Sequence, residues 1–153
     1  MSQAEEKKEK PVQKVPKILI VDDNQPTLNL MKKYFAKAQQ RKDLNCEIIE
    51  AHDGDEAIQM INVAQPNIIM CDIDMPKKNG FEVLDYFKNE REASDPYGFF
   101  VFLSAAPEQR KKAFMDGADA FVSKNEINYY ILTLQLKAWL RLVYLQRDRS
   151  NFF

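Results

Sequence analysis

The chain has 153 residues, enough for one domain with a sizeable core, and 22 basic against 23 acidic residues leave a formal net charge of -1. That balance sets up no strong field toward nucleic acid or a membrane surface, and no apolar run approaches the ~20 residues of a membrane helix. A single histidine, His52, and two cysteines without metal-ligand spacing, Cys46 and Cys71, supply neither a Ser-His-Asp arrangement nor a thiolate metal site.

Residues 1–16, "MSQAEEKKEKPVQKVP", are polar and mixed in charge, with no apolar h-region. They are expected to form a disordered charged tail, not a secretory signal. The ordered part is expected to begin at Lys17, where "KILIV" reads as a buried strand. A helix "QPTLNLMKKYFAKAQQ" follows, with Leu28, Met31 and Phe35 on one face, Asn24 as N-cap and Pro26 in the first turn. "NCEIIEA" is the second strand, and "GDEAIQMINVAQ" a helix buried through Ala57, Ile58 and Ile61. "PNIIMCD" and "GFFVFLSA" are further strands, separated by the helix "FEVLDYFKNERE". "PEQRKKAFMDGA" is a helix stopped at Gly117, and "DAFVSK" the last strand. Both cysteines lie in apolar runs and are expected to be small hydrophobes in a reducing compartment.

A long helical pattern closes the chain, from about Glu126 to Arg149, before the end at 150–153. Ile127, Ile131, Leu134, Ala138, Leu142 and Leu145 share one face of it; Leu132, Leu136, Leu140 and Val143 share another, with Trp139. A helix packed only on a sheet needs one apolar stripe. The second is expected to contact a dimer mate or an output partner. The ending "NFF" is compatible with a native terminus and with a cut before a further domain.

Strands alternating with helices imply parallel pairing through right-handed crossovers, and near-continuous apolar strands imply helices on both faces. The fold expected is α/β, a doubly wound parallel sheet. Ligands of such sheets sit beyond the carboxyl ends of the strands. Those ends deliver Asp22 and Asp23, Asp72, Ser104 and Lys124 to one rim. Clustered carboxylates repel unless a cation sits among them, and Mg²⁺ with oxygen ligands is the economical choice. A lysine and a hydroxyl beside it suit a phosphoryl group, and Asp72, after a central strand, is the natural nucleophile.

The segments "VDDN", "DIDMPKKNG", "FLSAA" and "FVSK", in this order and spacing, closely resemble the receiver domain of two-component response regulators, as in chemotaxis regulators. The likeness runs from about residue 16 to residue 140. It implies a flavodoxin-like (βα)5 sheet of strand order 2-1-3-4-5, with the receiver domain at 17–149. It implies Asp72 as phosphoacceptor, Asp23 as direct Mg²⁺ ligand beside Asp72, Asp22 holding metal-bound water, and the Asp74 backbone carbonyl in the metal shell. Ser104 and Lys124 would contact the phosphoryl group, and Phe121 would be an aromatic switch answering Ser104. The donor implied is a histidine kinase or histidine phosphotransfer protein, in the cytoplasm, with no direct nucleic-acid contact and no membrane insertion. The protein would be no enzyme beyond self-catalysed phosphotransfer and autodephosphorylation.

Two departures stand out. Asn125 follows Lys124 where the family usually has proline after a cis bond. Such a bond to a non-proline costs about 3–4 kcal/mol, which favours trans here and puts the set of Lys124 in question. Asp74 adds negative charge beside the path of a phosphate donor, while the small Ala105 and Ala106 leave the opposite side open. Gly80 is expected to serve backbone geometry before the third helix. Two alternatives are kept. One is a receiver-like interaction module that works without phosphate. The other is a haloacid-dehalogenase-type phosphatase reading of "DIDM", against which Met75 and the upstream acid pair speak. A dinucleotide-binding reading lacks its Gly-rich turn, since "VDDNQP" stands where G-x-G-x-x-G belongs.

Overall fold

A computed structural model describes residues 15–93 and 98–150, the backbone alone at 91–93 and 145–150. The expected tail at 1–16 lies outside the described residues except for Val15 and Pro16, as do the side chain of Leu145 and the end at 151–153. The elements run β1 (Lys17–Val21), α1 (Gln25–Gln40), β2 (Glu47–Ala51), α2 (Gly54–Ala64), β3 (Ile68–Asp72), α3 (Gly80–Ala93), β4 (Phe99–Ser104), α4 (Arg110–Met115), β5 (Ala120–Ser123) and α5 (Tyr129–Ser150). The sheet is parallel, in the order β2-β1-β3-β4-β5.

Every residue of the central strands β3 and β4 is buried, as their unbroken apolar runs require. Alternate side chains point to opposite faces. Ile18, Ile20, Ile68, Met70, Val101 and Leu103 meet Leu28, Met31 and Phe35 of α1 and Leu132, Leu136 and Leu140 of α5. Leu19, Ile69, Phe100 and Phe102 meet Ala57 and Ile61 of α2 and Val83, Leu84 and Phe87 of α3. Each large apolar side chain so buried contributes roughly 1.5–3 kcal/mol, more than helix propensity supplies over a turn.

Local chemistry sets the helix starts. Asn24 caps α1 by accepting from the Thr27 amide at 3.4 Å, with proline in the first turn. Asp53 caps α2 through the Glu56 amide at 2.8 Å.

Two elements differ from the sequence reading. The single helix expected over 107–118 is a 3-10 turn at Pro107–Gln109 followed by the short α4. The only buried side chain of α4 is Ala113, so little packing supports a longer helix. Gly117, at φ +103°, ends it. The last helix starts at Tyr129 and not near 126, because Lys124–Glu126 forms a 3-10 turn and Asn128 accepts from the Ile131 amide at 3.0 Å. No peptide bond is cis among the described residues, the one joining Lys124 to Asn125 included.

Gly80 fulfils its expected role. Its amide donates to the Ile73 carbonyl at 2.8 Å, and a Cβ there would collide with the Asp72 carbonyl oxygen and the Ile73 Cα. Gly80→Ala is expected to lower stability by about 1–3 kcal/mol, read as a lower urea midpoint at unchanged slope. An unchanged midpoint would show that the β3–α3 loop yields freely.

Candidate functional site

The order of the sheet reverses at β1 and β3, whose carboxyl ends open a crevice between them. β1 ends in Val21, so Asp22 is the first residue past the ladder, fully buried, and the adjacent Asp23 is exposed. Asp72 is the last residue of β3 and is 6% exposed. Carboxylate oxygens of Asp22, Asp23 and Asp72 lie within 4.8 Å of one another. Lys124, just past β5, reaches back so that its Nζ is 2.7 Å from Asp22 Oδ2 and 3.1 Å from Asp72 Oδ1. The trans peptide to Asn125 therefore does not keep the ammonium from the acids.

Asp22 divides its two oxygens. Oδ1 accepts from the Asn24 amide at 2.9 Å and shapes the turn into α1. Oδ2 is buried and is paired with the Lys124 ammonium.

The electrostatics follow from burial. Burial raises the Asp72 carboxyl to about 6 from its ordinary 3.8, the charge of Asp22 adds to the rise, and Lys124 pulls against it. Burial alone would lower the Lys124 ammonium, but Asp22 and Asp72 outweigh it and the net shift is upward. Burial likewise lifts the Cys71 thiol well above its ordinary value, so it is an inert core group.

The three carboxylates against one ammonium leave an excess of negative charge. All the donors are hard carboxylate oxygens that converge on one point of the rim. This donor set fits a small divalent cation such as Mg²⁺.

The β3–α3 loop that carries Asp74 is pinned to the start of α2. Lys77 pairs with Asp53 at 3.3 Å, Lys78 with Asp55 at 3.8 Å, and a Cβ on Gly54 would strike the Lys78 carbonyl. Asp74 is exposed, and its side chain turns toward Gln109. Ser104 ends β4, one residue past Leu103, which pairs with Asp72. Ser104 is 2% exposed, and its hydroxyl accepts from the Ala106 amide at 2.9 Å and donates to Gln109 Oε1 at 2.6 Å. Gln109 Nε2 lies 3.4 and 3.5 Å from the two oxygens of Asp74. The side that Ala105 and Ala106 were expected to leave open is thus crossed by Gln109. No sequence signal marks this residue, because its reach depends on the 3-10 turn after β4.

Phe121 stands in β5 beside Phe102, half-buried, packed partly on the core. On its outer side is a groove of about 550 Å³ lined also by Pro107, Arg110, Ile131 and Gln135.

The pH dependence has a definite sign. A carboxyl raised on folding costs stability while ionised, fully so above its folded value and less as pH falls through it. In metal-free buffer Asp72→Asn is therefore expected to be the more stable protein at pH 8, by up to about 3 kcal/mol, with the gap closing between pH 6 and pH 4. Equal urea midpoints at pH 8 would remove the charge conflict from this account.

Comparison with known proteins follows the same lines. The family model described as the response regulator receiver domain matches residues 18–133. The chain is 28% identical over 134 residues to the transcriptional regulatory protein YvrH of Bacillus subtilis, covering 88% of this chain and 53% of that protein. It therefore spans about half the length of that relative. In structure it is similar to a CheY-like response regulator receiver domain protein from Methanospirillum hungatei, at TM-score 0.71 and 24% identity, over 88% of this chain and 98% of that one. It is also similar to a BeF3-activated DrrB receiver domain, at TM-score 0.65 and 26% identity, over 83% and 98% of the two chains. Among the described residues no helix is long and apolar enough to cross a membrane.

Proposed function

The chain belongs to the response regulator receiver domain family, and from that premise we propose that Asp72 accepts a phosphoryl group from a phosphohistidine donor and thereby switches an output surface. The supporting observation is the set of Asp72 itself: a carboxylate at the end of a central strand, nearly buried, 3.1 Å from the Lys124 ammonium and beside two further acids. The donor is a histidine kinase or a histidine phosphotransfer protein, and the setting is the cytoplasm.

In the reaction a carboxylate oxygen of Asp72 attacks phosphorus. A P–O bond forms, the P–N bond to the donor imidazole breaks, and the electron pair stays on the imidazole nitrogen. Asp72 must be ionised to do this. Lys124, held by Asp22, stays positive and meets the incoming phosphoryl oxygens as a point charge. Asp23, Asp72, the Asp74 backbone carbonyl and, through water, Asp22 would hold Mg²⁺, which supplies positive charge against the phosphoryl oxygens. No protein group here calls for turnover of a separate substrate; the chemistry is self-modification and its reversal.

Phosphorylation adds roughly -1.5 to -2 of charge and strong acceptor oxygens. Ser104, one register step from Asp72, turns inward to donate to them. Phe121, half-buried beside the outer groove, then takes the space that Ser104 leaves. The phosphoryl group moves this equilibrium only by its differential contact with the two arrangements.

With the family in place the phosphatase alternative has no footing, while a module working without phosphate remains a distinct outcome of the test. Intact mass after incubation with phosphoramidate is expected to show one added phosphoryl group with Mg²⁺, none without it, and none in Asp72→Asn. No adduct on a folded, Mg²⁺-bound protein would favour the module.

The output surface involves α5. Leu132, Leu136, Trp139, Leu140 and Val143 are buried on the sheet, with Trp139 stacked on Phe99 at 5.6 Å. The other stripe, Ile131, Leu134 and Leu142 with Ala138, is exposed, and Leu134 is 67% exposed. This stripe is the contact for a second copy or an output partner. If a second copy is the occupant, sedimentation with beryllofluoride and Mg²⁺ is expected to show a dimer that Leu134→Glu abolishes. A monomer under both conditions would assign the stripe to a different protein.

A further inference from the structure

The hydrogen bonds from the Ala106 amide through Ser104 and Gln109 to Asp74 run in one direction. The Ala106 amide donates to Ser104 Oγ at 2.9 Å. Having accepted there, the hydroxyl faces Gln109 as a donor, to Oε1 at 2.6 Å. Among the described residues the other acceptor within reach of its single proton is the Ala106 carbonyl, at 3.3 Å the weaker choice. The far end of Gln109, Nε2, lies against the Asp74 carboxylate at 3.4 and 3.5 Å. A carboxylate only accepts, so Asp74 keeps the amide NH2 on its own side and presents the carbonyl oxygen to Ser104. The long Asp74 contacts orient the carboxamide, and the short Ser104 contact does the holding.

We propose that Gln109 is a positioning residue: its side-chain carbonyl, oriented by Asp74, holds the Ser104 hydroxyl away from Asp72 until a phosphoryl group competes for that proton. The inference rests on the reading of Asp72 as the phosphoryl acceptor. Ser104 is next in register to Asp72 and has one proton, so it serves Gln109 or the phosphoryl oxygen, not both. The turn Pro107–Gln109 leads directly into α4, of which only Ala113 is buried. Loss of the Gln109 contact therefore frees a segment with little packing to restrain it. Ser104 and the start of α4 move together for this reason, and Gln109 sets how readily they do so.

Breaking one hydrogen bond of this kind shifts an equilibrium about three- to tenfold. The test is the affinity for beryllofluoride with saturating Mg²⁺, read by titration calorimetry and by the ¹⁹F resonance of the bound fluoride. Wild type, Gln109→Leu, Ser104→Ala and the double variant are compared. Gln109→Leu is expected to bind about three- to tenfold more tightly than wild type. In the Ser104→Ala background the same change is expected to have no effect, which a general loosening of the turn would not reproduce. Gln109→Glu, which keeps the acceptor but repels Asp74, guards against an effect of leucine alone and is expected to fall between leucine and wild type. Binding by wild type with no gain in Gln109→Leu would sink the latch and leave the acceptor reading standing. An equal gain with and without the Ser104 hydroxyl would also overturn it. No binding by any of the proteins would overturn the acceptor reading and the latch together.

Discussion

Two carboxylates out of water share one ammonium at the carboxyl edge of the sheet, and the rest of the structure is arranged around that shortage of positive charge. Asp22 is fully buried and Asp72 nearly so, and Lys124 stands between them. A buried charge without full compensation costs several kcal/mol, and removing water makes each remaining attraction stronger. The raised Asp72 carboxyl is the record of that conflict. The donor set of such a site, three carboxylates with one ammonium beside them, is the kind that suits a small divalent cation.

The fold is what makes the conflict tolerable. Two layers of helices bury both faces of the sheet, so the strand ends can be held rigidly while their last side chains are unfavourable. The β3–α3 loop is tied at several points: the Gly80 amide to Ile73, and Lys77 and Lys78 to the first turn of α2. By contrast α4 is short and barely packed. The acids stand on the tied side of the rim, and the turn after β4 is its least restrained part.

α5 divides its apolar residues between two tasks. Its core face carries Trp139 against Phe99 and closes one side of the sheet, and Tyr129 ties its first turn to Asp43 at 2.6 Å. Its outer stripe begins at Ile131, which also lines the groove outside Phe121. Phe121 and the outer stripe of α5 thus border one groove, together with Arg110 and Gln135.

The sequence by itself determined the alternation of strands and helices, the two-sided burial of β3 and β4, and the strand-end position of Asp22, Asp23, Asp72, Ser104 and Lys124. Hydrophobic runs and breakers are local signals, and a parallel sheet places all its strand ends on one edge. It also showed two stripes on the last helix but not which faces the core, since that depends on the crossing of α5 over Phe99 and Leu103. Only the tertiary structure decided the break of the fourth helix into a 3-10 turn and a short α4, because no apolar residue before Ala113 anchors it to the sheet. The same break turns Gln109 back toward Ser104 and Asp74. Three residues from separate stretches then share a proton and an amide, and no spacing along the chain encodes that meeting.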